Sequence, residues 1–274
     1  MTIELDGPLV LAGAGKMGGA LLTGWLAEGL PASRVAVQDP GPPPDIQAIL
    51  DRAGIRSTPE LGDLGQPPAV LLLAVKPQIM EAVLPALGRR VGPGTLVLSV
   101  AAGRTIASLE RHLPPATAVV RSIPNTPAAV GRGITVCVAN AHVSPAHRAL
   151  CDQLLGAVGQ VGWVEDEGLI DVATAVSGSG PAYVFLLAEA LAAAGVAAGL
   201  APDLARRLGD ATVAGAGELL HRSGEDPAVL RRNVTSPNGT TAAALAVLMA
   251  DDGFGPLLTR AVAAAARRSR ELSA

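Results

Sequence analysis

Pro8-Leu-Val-Leu-Ala12-Gly13-Ala14-Gly15-Lys16-Met17-Gly18-Gly19 is the stretch on which the fold turns. A short apolar run ends in a cluster of glycines, and Ala20-Leu-Leu-Thr-Gly-Trp-Leu26 then carries apolar residues at helical spacing. Strand, glycine turn and helix in that order form a phosphate-binding βα unit. The glycines allow a tight turn, let backbone approach a pyrophosphate, and let the helix pack closely on the strand. Gly13, Ala14, Gly15, Lys16, Met17 and Gly18 are the first candidates for contact with a dinucleotide. A plain glycine-rich turn satisfies the same local pattern, so its weight comes from the rest of the chain.

Arg34-Val-Ala-Val-Gln-Asp39 reads as the second strand. An acid closing that strand can accept hydrogen bonds from ribose hydroxyls. Asp39 stands there, 24 residues beyond Gly15, although a turn-forming aspartate ahead of Pro40-Gly-Pro-Pro-Pro44 fits equally well. No lysine is nearby and Arg34 lies at the far end of the strand, so an obvious clamp for a 2′-phosphate is missing. Residues 45–53 read as a helix. Ala69-Val-Leu-Leu-Leu-Ala-Val75 is apolar throughout, as a strand buried on both faces must be. Ala74-Val75-Lys76-Pro77 ends it, and Lys76 is a candidate for a phosphate or ribose contact because open α/β sheets bind ligands beyond the carboxyl ends of their strands. Gly94–Val100 leads to Ala101 and Ala102, Ala118–Arg121 leads to Asn125 in Pro124-Asn-Thr-Pro127, and Ile134–Ala139 and Gly162–Glu165 complete the strand pattern. Strands alternating with helical patterns predict a Rossmann-type α/β domain with a mostly parallel, doubly wound sheet over residues 1–164.

Beyond residue 165 no strand pattern appears. Helices are expected near 168–176, 181–198, 202–222, 226–233, 240–250 and 256–272. Pro181, Pro202 and Pro227 suit first helical turns, and Gly199, Gly224 and Gly253 suit helix ends. Residues 165–274 therefore read as an all-α domain. Tyr183–Ala201 is nearly long enough to span a bilayer. Glu189 within it carries a cost of about 2.5–3 kcal/mol near mid-membrane, and eight of its nineteen residues are alanine, so the expectation is a helix covered by protein in an oligomer.

The bulk properties narrow the field. The chain has 274 residues, 49% apolar but only 2% aromatic, so Ala, Leu and Val must fill its core. A net charge of −3 without long charge runs gives no sign of a nucleic-acid partner. Two cysteines, Cys137 and Cys151, have neither disulfide-framework nor metal spacing. With no signal-peptide pattern, the expectation is a reducing cytoplasm and no metal.

Val234-Thr-Ser-Pro-Asn-Gly-Thr-Thr241 joins two helical patterns across a Pro-Asn-Gly turn. The first N–H groups of a new helix lack intrahelical partners and favour an anion. With the hydroxyls of Ser236, Thr240 and Thr241 they could cup a carboxylate; an ordinary N-cap has the same look.

Five motifs now stand in order: Gly13-Ala-Gly-Lys-Met-Gly18, Ala74-Val-Lys-Pro77, Pro124-Asn-Thr-Pro127, Val176-Ser-Gly-Ser-Gly-Pro-Ala-Tyr183 and Val234–Thr241. Together they closely resemble the pyrroline-5-carboxylate reductase family over nearly the whole chain. The resemblance implies a Rossmann domain, a helical dimerisation domain, dimers assembling into rings, and hydride transfer from NADPH or NADH to the cyclic imine 1-pyrroline-5-carboxylate. It implies that Thr240 binds the carboxylate, that Thr241 contacts the ring nitrogen with Ser236 beside it, and that Asn238, Gly239 and Asp166 lie near the substrate. It places Ala74, Val75, Lys76, Pro77, Ala101, Ala102 and Asn125 with the glycine loop around the cofactor. Three positions depart from the usual pattern: Asn238 where a glycine is common, Leu61 where many relatives place a cofactor-touching asparagine, and Asp39 where a small polar residue is common.

Two other readings remain. A two-domain hydroxyacid dehydrogenase shares the layout but uses a lysine in its helical domain, and the lysines here are Lys16 and Lys76, both in the first half. A non-catalytic nucleotide sensor would keep the fold and lose the chemistry. His112, His142, His147 and His221 have no recognisable catalytic partners.

Overall fold

The structure, a computed structural model, describes residues 3–273. Eight strands form one sheet among them: β1 (Leu9–Ala12), β2 (Val35–Gln38), β3 (Ser57–Thr58), β4 (Val70–Leu73), β5 (Leu96–Ser99), β6 (Ala118–Ile123), β7 (Gly133–Ala139) and β8 (Gly159–Trp163). The helices are α1 (Lys16–Ala27), α2 (Pro44–Ala53), α3 (Pro77–Gly88), α4 (Ile106–Glu110), α5 (Pro145–Gly156), α6 (Leu169–Ala173), α7 (Gly180–Ala197), α8 (Pro202–Ser223), α9 (Pro227–Asn233), α10 (Thr240–Leu248) and α11 (Phe254–Ser273).

The sheet runs β3-β2-β1-β4-β5-β6-β7-β8. Every pair from β3 to β6 is parallel, β7 is antiparallel to β6, and β8 is parallel to β7. Order reverses between β1 and β4, the switch point at which doubly wound sheets hold their ligands. Leu9 and Leu11 of β1 pack with Trp25, Leu50 and Leu154 on one face. Val10 and Ala12 pack with Met80, Leu84 and Ile170 on the other. Both faces are covered, so the strands read as unbroken apolar runs, each buried leucine contributing about 1.5–3 kcal/mol. The Trp25 indole N–H donates to the Leu154 carbonyl at 2.7 Å, which satisfies the one polar atom of a fully buried side chain.

Two features differ from the sequence reading. β3 is two polar residues long and has no alternation to announce it. β7 is reversed, because the link from Ile123 to Gly133 holds only a 3₁₀ turn, Thr126–Val130. A parallel return needs a crossover of a dozen or more residues.

Two compact units emerge. One takes the described residues up to Gly178 and those from Ala266 onward; the other is Ser179–Ala265. Residues 165–178 thus pack with the sheet, where Asp171 is buried and its Oδ1 accepts from Ser269 Oγ at 2.5 Å. In the second unit α7 and α8 approach closely: a Cβ on Gly209 would meet the Ala188 carbonyl oxygen at 2.8 Å. Pro202 and Pro227 open their helices, Pro181 sits in the first turn of α7, and Gly199 and Gly224 take left-handed φ of 102° and 63° just beyond α7 and α8. No residue of α7 is buried within the single chain, and Phe185 and Leu186 are 63% and 62% exposed. An apolar face of that extent marks an interaction surface. By length and composition Leu169–Ala197 could cross a membrane, but a π-helical turn at Thr174–Gly178 and a bend at Ser179 interrupt it.

Candidate functional site

The glycine loop lies at the switch point. Gly13 has φ of 94°, and a Cβ there would stand 2.7 Å from the Ala74 carbonyl carbon, so the end of β4 can approach only a glycine. A Cβ on Gly18 would come within 2.1 Å of the Gly13 carbonyl oxygen, which is what lets α1 sit against the loop. Gly15 is different: nothing lies within 4 Å of where its Cβ would be. It precedes α1 with extended backbone, and no side chain caps that helix. An open cradle over an uncapped helix N-terminus, flanked by obligatory glycines, fits a dinucleotide pyrophosphate. Lys16 at the start of α1 and Lys76 before α3 are both exposed.

Asp39 closes β2 with both carboxylate oxygens engaged. Oδ2 accepts from the Ala14 N–H at 2.7 Å, and Oδ1 accepts from the Gly41 N–H at 2.8 Å. It therefore ties the glycine loop to the turn after β2, a role that sequence reasoning did not see. Each oxygen keeps a second lone pair for a ribose hydroxyl. Ala74, Val75, Lys76 and Pro77 follow β4, with Pro77 opening α3. Ala101 is buried and Ala102 exposed beyond β5, and the Ala101 N–H donates to Ser99 Oγ at 3.3 Å. These segments all leave the same carboxyl edge of the sheet. So does Asn125 beyond β6, whose amide bonds Ile134 N and the Ser177 carbonyl. Leu61 packs its side chain against the core on the α3 face, and its carbonyl accepts from Arg90 Nη2 at 3.0 Å.

Asp166 stands in the segment between β8 and α6. It is exposed beyond β8, and its Oδ1 accepts from the Gly168 N–H at 2.9 Å, closing its own turn. Its neighbour Glu167 does the local work: one Oε1 takes Arg121 Nη1 at 2.8 Å and the Ile106 N–H at 2.9 Å. Arg121, 4% exposed, needs such a partner because an unpaired buried cation is costly. The hint in sequence was an arginine inside the apolar strand Ala118-Val-Val-Arg121.

In the other unit, the loop before α10 is a tight turn. The Gly239 N–H donates to the Ser236 carbonyl at 3.0 Å, with Pro237 and Asn238 between them and Asn238 at φ 59°. Proline followed by a left-handed residue is the type II pattern, and asparagine tolerates it. A Cβ on Gly239 would lie 2.4 Å from Ser236 Oγ, so a side chain here would make the Ser236 hydroxyl turn away. Gly239 is the extended N-cap of α10, and no side chain caps that helix. Ser236 and Thr240 are exposed and Thr241 half-buried, leaving hydroxyls and unpaired N–H groups at one small surface. It can hold a carboxylate and offer a hydroxyl to a ring nitrogen.

Several other reactive groups are inert or structural. Burial pushes the thiols of Cys137 and Cys151 well up, so neither is a ready thiolate. His147 completes a capping box with Ser144, and His112 meets Glu81 at 2.9 Å beside Arg104 on the surface. The Arg104 guanidinium, with His112, holds the Glu81 carboxyl below its ordinary range. No metal-binding cluster of His, Cys, Asp or Glu occurs among the described residues.

Residues 167–272 match the family described as Pyrroline-5-carboxylate reductase dimerisation, and residues 9–103 match NADP oxidoreductase coenzyme F420-dependent. A pyrroline-5-carboxylate reductase of Pseudomonas aeruginosa is 43% identical over 97% of this chain and 96% of its own length. The solved pyrroline-5-carboxylate reductase of Coxiella burnetii is similar with a TM-score of 0.90 at 34% identity, covering 98% of this chain and 99% of that one. The pyrroline carboxylate reductase of Plasmodium falciparum, solved with NADP bound, gives 0.79 at 28% identity, covering 98% and 99%.

Proposed function

This chain belongs to the pyrroline-5-carboxylate reductase family, and we propose that its glycine-loop edge binds the cofactor while the 236–241 loop binds the substrate. The protein is an NAD(P)H-dependent oxidoreductase that reduces the C=N bond of 1-pyrroline-5-carboxylate to give proline, the last step of proline biosynthesis. Bound NAD(P)H supplies the hydride that adds to the imine carbon. Every other requirement falls to the chain. The imine carbon accepts hydride only when the ring nitrogen is protonated or strongly hydrogen-bonded, and the reacting atoms must be held in near-attack geometry. The α10 N-terminus and Thr240 hold the carboxylate. Thr241 offers its hydroxyl to the ring nitrogen, with Ser236 beside it. Asn238 and Gly239 shape the turn that leaves these groups facing outward, and the uncapped start of α10 after that turn is the observation that carries this assignment. Functionally, residues 1–164 form the cofactor domain and 165–274 the substrate and dimerisation domain. Asp166 keeps only the support of the resemblance, since its own carboxylate closes a turn.

Gly13, Ala14, Gly15, Lys16, Met17, Gly18, Ala74, Val75, Lys76, Pro77, Ala101 and Ala102 form the cofactor side, with Asp39 at the ribose and Asn125 at the same edge, its amide bonded to backbone. A carboxylate repels a 2′-phosphate and accepts from a 2′-hydroxyl, so this enzyme leans toward NADH more than relatives with a small polar residue there. The test is oxidation of NADH and of NADPH on addition of 1-pyrroline-5-carboxylate, by the wild type and by Asp39→Ser. Asp39→Ser is expected to shift the ratio of kcat/KM toward NADPH. Both cofactors should also bind more weakly, because the Ala14 N–H loses its acceptor. A wild type that binds cofactor without turnover would indicate a sensor, and an unchanged ratio in the variant would remove Asp39 from the ribose.

The chain is a homo-oligomer, and a second copy covers the apolar face of α7. With that face covered, and with Glu189 exposed along it, no membrane is needed and the cytoplasm is the natural compartment. We place a closed ring of dimers above the dimer. Light scattering on dilute protein should give a mass above two subunits and no folded monomer; a stable monomer would remove the role of α7.

A further inference from the structure

Thr174–Gly178 is wound as a π-helical turn immediately before the chain passes from the first compact unit to the second. Pro181 lies three residues beyond it. In an α-helix the carbonyl of residue 177 takes the N–H of residue 181, four positions on, and proline has none to give. The alternative donor, the Ala182 N–H, goes to the Ser179 carbonyl at 3.0 Å. A backbone carbonyl away from water must find a partner from elsewhere. Asn125 provides it: Nδ2 donates to the Ser177 carbonyl at 3.1 Å. At its other end Oδ1 accepts from the Ile134 N–H at 2.9 Å, near the start of β7. The side chain belongs to a residue only 9% exposed, and both ends of its amide are spent on backbone.

We propose that Asn125 is a positioning residue that supplies the donor Pro181 lacks and so holds the Ser177 peptide at the carboxyl edge of the sheet. Its amide spans three segments: the end of β6, the start of β7 and the π-helical turn. π-Helical turns persist where the surroundings hold them, frequently at functional sites. The clamp stands on geometry alone. Its part in turnover rests on the reductase reading, which makes this edge the cofactor edge.

The test is amide hydrogen exchange on the full-length, nucleotide-free protein, beside steady-state kinetics. In Asn125→Ala, exchange across 174–183 should quicken about tenfold, the effect of losing one such hydrogen bond, while β1 stays protected. Asn125→Asp keeps an oxygen for the Ile134 N–H and loses the donor. It should expose 174–183 and spare Ile134, and it carries the comparison if the alanine variant does not fold. Adding Pro181→Ala to Asn125→Ala returns an N–H at position 181; protection and kcat/KM for the imine should both recover. NAD(P)H affinity should hold throughout. Unchanged exchange in 174–183 would overturn the proposal, and weaker NAD(P)H binding with that exchange unchanged would make Asn125 a cofactor ligand instead. Fast exchange that Pro181→Ala does not correct, or normal turnover beside fast exchange, would also overturn it. An enzyme inactive toward the imine would sink the reductase reading and leave the exchange result standing.

Discussion

Thr241→Ala is expected to keep its melting temperature and its NAD(P)H affinity while kcat/KM for 1-pyrroline-5-carboxylate falls at least about tenfold. Thr241 is the second residue of α10 and half-buried, and no side chain serves as that helix's cap. Its hydroxyl is therefore free of the structural duty that a capping threonine would have. If it meets the ring nitrogen, its hydrogen bond strengthens as hydride arrives and the nitrogen gains electron density. An interaction stronger in the transition state raises kcat as well as lowering KM. A positioned donor of this kind contributes roughly 2–4 kcal/mol, about 30- to 1000-fold in rate. Thr241→Ser should recover part of the loss by restoring the hydroxyl. Normal turnover in the alanine variant would show that the 236–241 loop is not the substrate site, or that Thr241 is only part of its frame.

Gly15→Ala and Gly18→Ala should both lose cofactor affinity, and only the second should lose stability. At Gly18 the new methyl group would stand 2.1 Å from the Gly13 carbonyl oxygen, which is backbone and cannot rotate away. α1 must retreat from the loop, a strain of about 1–3 kcal/mol that moves the phosphate-binding amides with it. At Gly15 the methyl group meets nothing, and the extended backbone suits any residue. It enters only the space a pyrophosphate would need. NAD(P)H titration beside thermal unfolding separates the two cases. A Gly15→Ala protein that binds cofactor normally would place the pyrophosphate elsewhere.

Much of the fold was legible in sequence because it is local. The glycine loop, the apolar runs of β1, β4 and β5, the prolines that open α8 and α9, and the glycines just beyond α7 and α8 each declare themselves within a few residues. The turn before α10 was readable too, down to an asparagine able to take φ of 59°. What escaped was pairing across distance. Nothing near Asp39 says that its carboxylate reaches back 25 residues to the Ala14 amide. Arg121 announces that it needs an anion without naming Glu167, 46 residues on. Pro181 announces a carbonyl without a donor, and only the fold brings Asn125 to it. The direction of β7 was set by the shortness of its link, a property visible in the sequence only once both strands are placed.

The two lysines, Lys16 and Lys76, have a chemical consequence. Arginines carry the rest of the chain's basic charge, and guanidinium groups do not react with mild acylating reagents at neutral pH. Both lysines are exposed, and both belong to segments at the carboxyl edge of the sheet, one opening α1 beyond β1 and the other preceding α3 beyond β4. Among the side chains of this protein, an amine-directed label therefore reports on the carboxyl edge of the sheet alone.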